Sequence, residues 1–227
     1  MFKASFVAGL TSLASAYTWT EDEAYISLHL SNYAYCGHSA YDTLNFGQTP
    51  DTAGFVVTDV IYNPLKDTEG FVGYLPSNES IYVVFRGSSS ILNWVTNLNT
   101  DKALYKIWPE CECQVHDGFQ TDFLSVANTV ATAVNRLAWK YPHYAIKTTG
   151  HSLGAALGHH AGMYLLKNGY TGVTMINFGQ PRLGDDKYAA FAKTTWPSKW
   201  RNTHCKDTVP HIPLEDMGFE HTDTEMY

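Results

Sequence analysis

Charge is scarce in this 227-residue sequence: Asp, Glu, Lys and Arg together supply 16% of it, below the usual quarter, while aromatic residues reach 14%. That balance excludes a disordered chain or a coiled coil and leaves a core-forming protein of one large or two small domains. No run of Lys or Arg occurs, and 15 basic against 22 acidic side chains leave a net charge of −7, so no nucleic-acid partner is expected. No apolar stretch attains the length of a bilayer span, so no transmembrane segment is expected. Internal repeats, low-complexity tracts and linkers are also missing, which favours a single domain. Cysteine is sparse, at four residues, and neither a paired C-x2-C nor a C…H set of the zinc type is present, so no metal or cofactor is implied.

The first sixteen residues read as a secretory leader. Met1-Phe2-Lys3 is a short positive start, Ala4 to Leu13 a modest apolar run, and Ala14-Ser15-Ala16 an A-x-A cleavage site. The division is then 1–16 signal peptide and 17–227 globular domain, with a buried N-terminal helix as the alternative. In a secreted chain Cys36, Cys111, Cys113 and Cys205 imply disulfides, of three connectivities that the sequence does not rank. Asn78-Glu79-Ser80 is the one glycosylation sequon.

Thr20-Glu21-Asp22-Glu23 is a capping box that opens a helix toward Tyr35. Ala53–Tyr62, Gly70–Leu75 and Ile81–Phe85 read as strands, the last an unbroken apolar run suited to burial on both faces. From Asp117 to Tyr141, apolar residues at 119, 123, 126, 130, 134, 137 and 141 predict one helix with one apolar stripe, ended by Pro142. Strands at Tyr144–Thr149, Gly172–Phe178 and Lys199–His204 then alternate with helices at Leu153–Lys167 and Asp185–Lys193. That alternation predicts an α/β fold, a mostly parallel sheet with helices on both faces.

Between a strand and a helix lies Gly150-His151-Ser152-Leu153-Gly154, a G-x-S-x-G pattern. A sharp strand-to-helix turn tolerates little beyond hydrogen on either flank, and it lifts the Ser152 hydroxyl toward the positive end of the following helix. Ser152 is therefore the candidate nucleophile. His151 is not the candidate base, because neighbours at such a turn point different ways. The amide of Leu153 is one candidate oxyanion donor, and Ser88, in the loop after the strand ending at Phe85, is the second. Asp207 follows the last predicted strand, in the order Ser…Asp…His, with Asp185 and Asp186 as competitors.

Five blocks of the chain resemble the class 3 lipases of the filamentous-fungal type, a family that includes feruloyl esterases. They are Y-V-V-F-R-G-S-S-S-I-L-N-W at 82–94, V-H-D-G-F at 115–119, T-G-H-S-L-G at 149–154, F-G-Q-P-R-L-G-D at 178–185 and K-D-T-V-P-H-I-P at 206–213. The resemblance implies an α/β-hydrolase fold, Ser152 as nucleophile, Asp207 as triad acid, and Ser88 and Leu153 as oxyanion donors. It also makes Ile91 to Asn97 similar to the family's lid, in which Ile91, Leu92, Trp94 and Val95 would face an apolar cleft. The implied activity is secreted hydrolysis of lipid esters, as in a triacylglycerol lipase, without cofactor. A feruloyl or carbohydrate esterase is the alternative, and a non-catalytic lipid or carbohydrate binder a third reading.

The triad histidine breaks the pattern. In the family it lies several dozen residues beyond the acid, whereas 20 residues follow Asp207 here. The G-F-x-H-x-x-x-E-x-[YW] segment at Gly218–Tyr227 resembles the one that precedes that histidine, so the family's last strand and His loop are expected beyond Tyr227. His221 is the least unsuitable stand-in, and His211, between Pro210 and Pro213, reads as structural. Cys36 resembles a cysteine that bridges to a partner near the family's C-terminus. Cys111-Glu112-Cys113 resembles a small loop disulfide with one residue between the sulfurs instead of two, a strained spacing. Cys205 matches nothing in the family.

Overall fold

The computed structural model describes residues 18–227, so the leader-like residues 1–16 lie outside the described part. Helix α1 (Glu21–Tyr33) starts as its capping box predicts: the Thr20 hydroxyl accepts the Glu23 amide at 3.3 Å, and Glu21, Asp22 and Glu23 occupy the positive first turn. Strands β1 (Val56–Asn63), β2 (Thr68–Leu75) and β3 (Ser80–Phe85) form an antiparallel meander. Helix α2 (Ile91–Asn97), the hairpin β4 (Lys102–Leu104) and β5 (Gln114–His116), and helices α3 (Asp117–Leu124) and α4 (Ala127–Lys140) follow. The chain then alternates: β6 (Ala145–Gly150), α5 (Leu153–Lys167), β7 (Thr174–Phe178), α6 (Asp186–Thr195), β8 (Lys199–Asn202) and β9 (Thr224–Met226). Seven strands make one sheet in the order β1-β2-β3-β6-β7-β8-β9, parallel from β3 onward. This is the α/β-hydrolase arrangement.

Strand β3 shows why the sheet is covered on both sides. All six of its residues are buried, and alternate side chains enter different cores. Ile81, Val83 and Phe85 join Val130, Val134 and Leu137 of α4 and Leu157 and Ala161 of α5. Tyr82 and Val84 join Ile26 and Leu30 of α1, with Phe46, Phe55 and Phe71. The C-terminal ends of β3, β6, β7 and β8 therefore emerge at one rim between two packed layers.

Several expectations need correction. The helix expected from Asp117 to Tyr141 is two helices, broken where Ser125 caps α3 through its hydroxyl bond to the Asp122 carbonyl. Val126 stays buried across the break, which is why the apolar spacing hides it. Strand β9, three residues long, was not anticipated; it pairs with β8 at the sheet's edge. Cys111 and Cys113 are bridged despite their spacing, with Cα atoms 5.2 Å apart, while Cys36 and Cys205 are free and exposed. At the sequon, the Asn78 side-chain nitrogen donates to Tyr82 Oη at 2.9 Å and Ser80 is buried, so the acceptor atom is engaged in the fold.

Candidate active site

The G-x-S-x-G segment forms the turn from β6 into α5. Ser152 has φ 57° and ψ −124°, a left-handed backbone that a residue with a Cβ adopts at a cost of ~1–3 kcal/mol. The fold compensates by close packing. Ser152 N donates to Phe178 O at 3.0 Å, and Gly154 N to His151 O at 2.9 Å, fixing the turn between β6 and β7. A Cβ on Gly154 would lie 2.7 Å from Arg86 C and 2.8 Å from Arg86 O, so only glycine lets the end of β3 reach the first turn of α5. The Ser152 side chain is fully buried, and its Oγ has no hydrogen-bond partner among the described residues. It sits at the N-terminus of a 15-residue helix, where partial positive charge accumulates.

That close approach brings the two candidate oxyanion donors together. Arg86-Gly87-Ser88 leaves β3 along the elbow, and Ser88 is 8% exposed there. Neither the Ser88 nor the Leu153 amide has a loop or cap backbone partner among the described residues, so both N–H groups are free for a ligand oxygen. The loop is anchored from behind: the Arg86 guanidinium is held by the Glu69 and Asp67 carboxylates and raised further in pKa by their charge against its burial.

Asp207 lies in the turn after β8. Its Oδ1 accepts the Val209 amide at 2.9 Å, and its Oδ2 lies where a Cβ on Gly179 would be only 2.7 Å away. Its competitors serve elsewhere. Asp185 caps α6 by accepting Tyr188 N at 2.8 Å and also accepts Gln114 N at 3.1 Å, and Asp186 is exposed in the helix's first turn. Asp207 borders a cavity of about 380 Å3 that His204, Cys205, His211, His221 and Arg182 also line.

His221 is not the base in this arrangement. Its Nε2 lies 2.8 Å from the Pro210 carbonyl and its Nδ1 is buried without a partner; burial and the Arg201 charge lower its pKa to about 4. The segment holding it is fixed by a buried charge set. The Lys199 ammonium and His159 Nδ1 each approach the Asp223 carboxylate at 3.4 Å, the Gln180 amide donates to it, and Lys199 Nζ donates to Thr222 O at 2.7 Å. His151, next to the nucleophile, turns away from it, with Nδ1 2.7 Å from Tyr35 Oη. Nothing in the sequence flagged Tyr35, because 116 positions separate it from His151.

Helix α2 lies beyond Ser88, the place expected for a lid. Ile91, Trp94, Val95 and Leu98 are half-buried, and Trp94 stacks on Phe119 at 6.1 Å. Leu92 departs from the expected inward set: it is 81% exposed. Val95 and Leu98 face Ile212, Pro213, Leu214 and Met217 across an apolar groove of about 260 Å3. Among the described residues no cluster of His, Cys, Asp or Glu is arranged to hold a metal, and no helix is long and apolar enough to cross a membrane.

Known proteins resemble this chain. The profile of the family described as Lipase (class 3) matches residues 82–217. A lipase of Rhizomucor miehei is 34% identical over 167 residues, which cover 72% of this chain and 46% of the relative. A secreted mono- and diacylglycerol lipase of Fusarium solani is 33% identical over 151 residues, 66% of this chain and 44% of the relative. Among solved structures, a mono- and diacylglycerol lipase from Aspergillus oryzae superposes with a TM-score of 0.80 at 30% identity, covering 92% of this chain and 80% of the other. The chain spans about half the length of the curated relatives it matches.

Proposed function

The chain belongs to the class 3 lipase family, and from that premise we propose that it is a serine hydrolase of lipid esters. Ser152 attacks the ester carbonyl, and the developing oxyanion is taken up by the Leu153 amide together with the amide and hydroxyl of Ser88. The alcohol leaves, and water resolves the acyl-enzyme. The single observation that carries the reading is the elbow itself: a buried, left-handed Ser152 at a helix N-terminus, packed against a loop with a free amide. The serine proton has to pass to an imidazole oriented by Asp207, and the cavity beside that carboxylate is large enough to admit one.

Lipid esters are favoured over aromatic ones by α2. Its half-buried Ile91, Trp94 and Val95 fit a cover over an apolar groove, and the exposed Leu92 fits a first contact with a lipid surface. Secretion fits the leader-like residues 1–16 and the word "secreted" in the name of the Fusarium relative. Initial rates on p-nitrophenyl butyrate, p-nitrophenyl palmitate and methyl ferulate test the substrate class. With imidazole added to take the serine proton, the expected result is hydrolysis of the two acyl esters and faster turnover of palmitate when it is presented as an emulsion. Preference for methyl ferulate would move the chain to the feruloyl esterases, and binding without turnover of any ester, even with imidazole, would make it a binder.

A further inference from the structure

The Tyr35 hydroxyl stands where the two halves of the nucleophile site meet. Tyr35 lies just past α1, and its Oη is 2.7 Å from His151 Nδ1. The same oxygen packs directly onto Gly87, the residue before Ser88. The fit is tight: a Cβ on Gly87 would fall on the Tyr35 hydroxyl and lie 2.6 Å from the His151 carbonyl. One hydroxyl thus touches the oxyanion loop on one side and the nucleophile elbow on the other.

The Tyr35 hydroxyl has a single proton, and its contact with His151 Nδ1 is where it can donate that proton. A neutral imidazole carries one N–H, so an accepting Nδ1 leaves the proton on Nε2. Burial keeps His151 neutral by lowering its pKa, with Asp207 as the opposing influence. A Cβ on Gly179 would sit 3.4 Å from His151 Nε2 and 2.7 Å from Asp207 Oδ2, so the imidazole and the carboxylate face each other across that glycine.

We propose that Tyr35 is a positioning residue: its hydroxyl clamps Gly87-Ser88 against His151-Ser152 and holds His151 as the Nε2–H tautomer that faces Asp207. The proposal rests on Ser88 and Ser152 forming the reactive pair. Its consequence is that the distance between nucleophile and oxyanion donor depends on a hydroxyl that touches neither the ester nor Ser152.

Nitrogen-15 NMR of the imidazole rings in the full chain at neutral pH tests this without requiring turnover, with His151 identified by its loss in His151→Gln. The wild-type ring is expected as Nε2–H, and Tyr35→Phe, which keeps the ring and removes the hydroxyl, is expected to shift it toward Nδ1–H. Gly87→Ala, which pushes the hydroxyl away from the other side, is expected to do the same and serves if Tyr35→Phe does not fold. An Nδ1–H wild type, or a tautomer unchanged in the folded variant, overturns the proposal. Ester hydrolysis by Tyr35→Phe, measured like the wild type with imidazole added, is expected to fall on the order of tenfold in kcat with KM little changed. A tautomer shift with no hydrolysis by any variant, wild type included, even with imidazole, would uphold the hydrogen-bond clamp and instead refute the ester-hydrolase reading.

Discussion

Around Ser152 three chain segments meet through backbone: the end of β3, the turn from β6 into α5, and the end of β7, with distances set by glycines and amide hydrogen bonds. Around Asp207 the arrangement differs, since side chains of Arg, His and Cys line an open cavity and one carboxylate oxygen is tied to a neighbouring amide. The first region is determined by sterics that leave almost no freedom. The second is determined by charge and by what enters the cavity. On the proposed mechanism the division has a reason: the nucleophile and its oxyanion donors must be fixed before substrate arrives, whereas Asp207 has only to orient the imidazole that takes the proton.

Gly154→Ala should break the first region most severely. Its Cβ has no room beside the Arg86 carbonyl, so the elbow must separate from the oxyanion loop. Ester hydrolysis supported by added imidazole is expected to fall by ~10² or more, in the range of losing an oxyanion donor, and thermal unfolding to move down. A variant with wild-type rate and melting temperature would show that the close approach is dispensable.

Much of the first region was legible in the sequence because its constraints are local. Gly150 and Gly154 flank Ser152 within five residues, and α5 runs over Leu153–Lys167 as its pattern predicts. The buried run at β3 likewise announces a strand covered on both faces. What stayed hidden depends on contacts distant in the chain. Tyr35 meets His151 across 116 positions, and His221 is tied to Pro210, which leaves it unsuited to the stand-in role that chain order suggested. The exposed side of Leu92 was hidden too, because a seven-residue helix offers too few turns for spacing to decide which apolar residue faces out.

Acid should loosen the second region. His221 has its pKa lowered to about 4 in the fold, whereas an unfolded histidine titrates near ~6.5. The unfolded chain therefore binds the extra proton first as pH falls, so the contribution of neutral His221 is fully present above ~6.5 and is lost progressively down to about 4. The slope is at most ~1.4 kcal/mol per pH unit for this one group. Urea unfolding at a series of pH values should show it, and His221→Gln should flatten the curve in that window. An unchanged curve would remove His221 from the account of this region.

The central claim is that Ser152, presented by the first region, is the nucleophile. It is tested most directly by p-nitrophenyl butyrate hydrolysis for the folded chain and for Ser152→Ala, each with and without added imidazole. No histidine ring among the described residues is hydrogen-bonded to the Asp207 carboxylate, and a missing triad base costs ~10⁶ in kcat and leaves ~10³–10⁴ over water, so imidazole supplied to the cavity beside Asp207 raises a rate that is otherwise small. The account predicts a component of hydrolysis that grows with imidazole in the wild-type chain and vanishes in Ser152→Ala. Equal rates for the two proteins at every imidazole concentration, with both folded by circular dichroism, would contradict it.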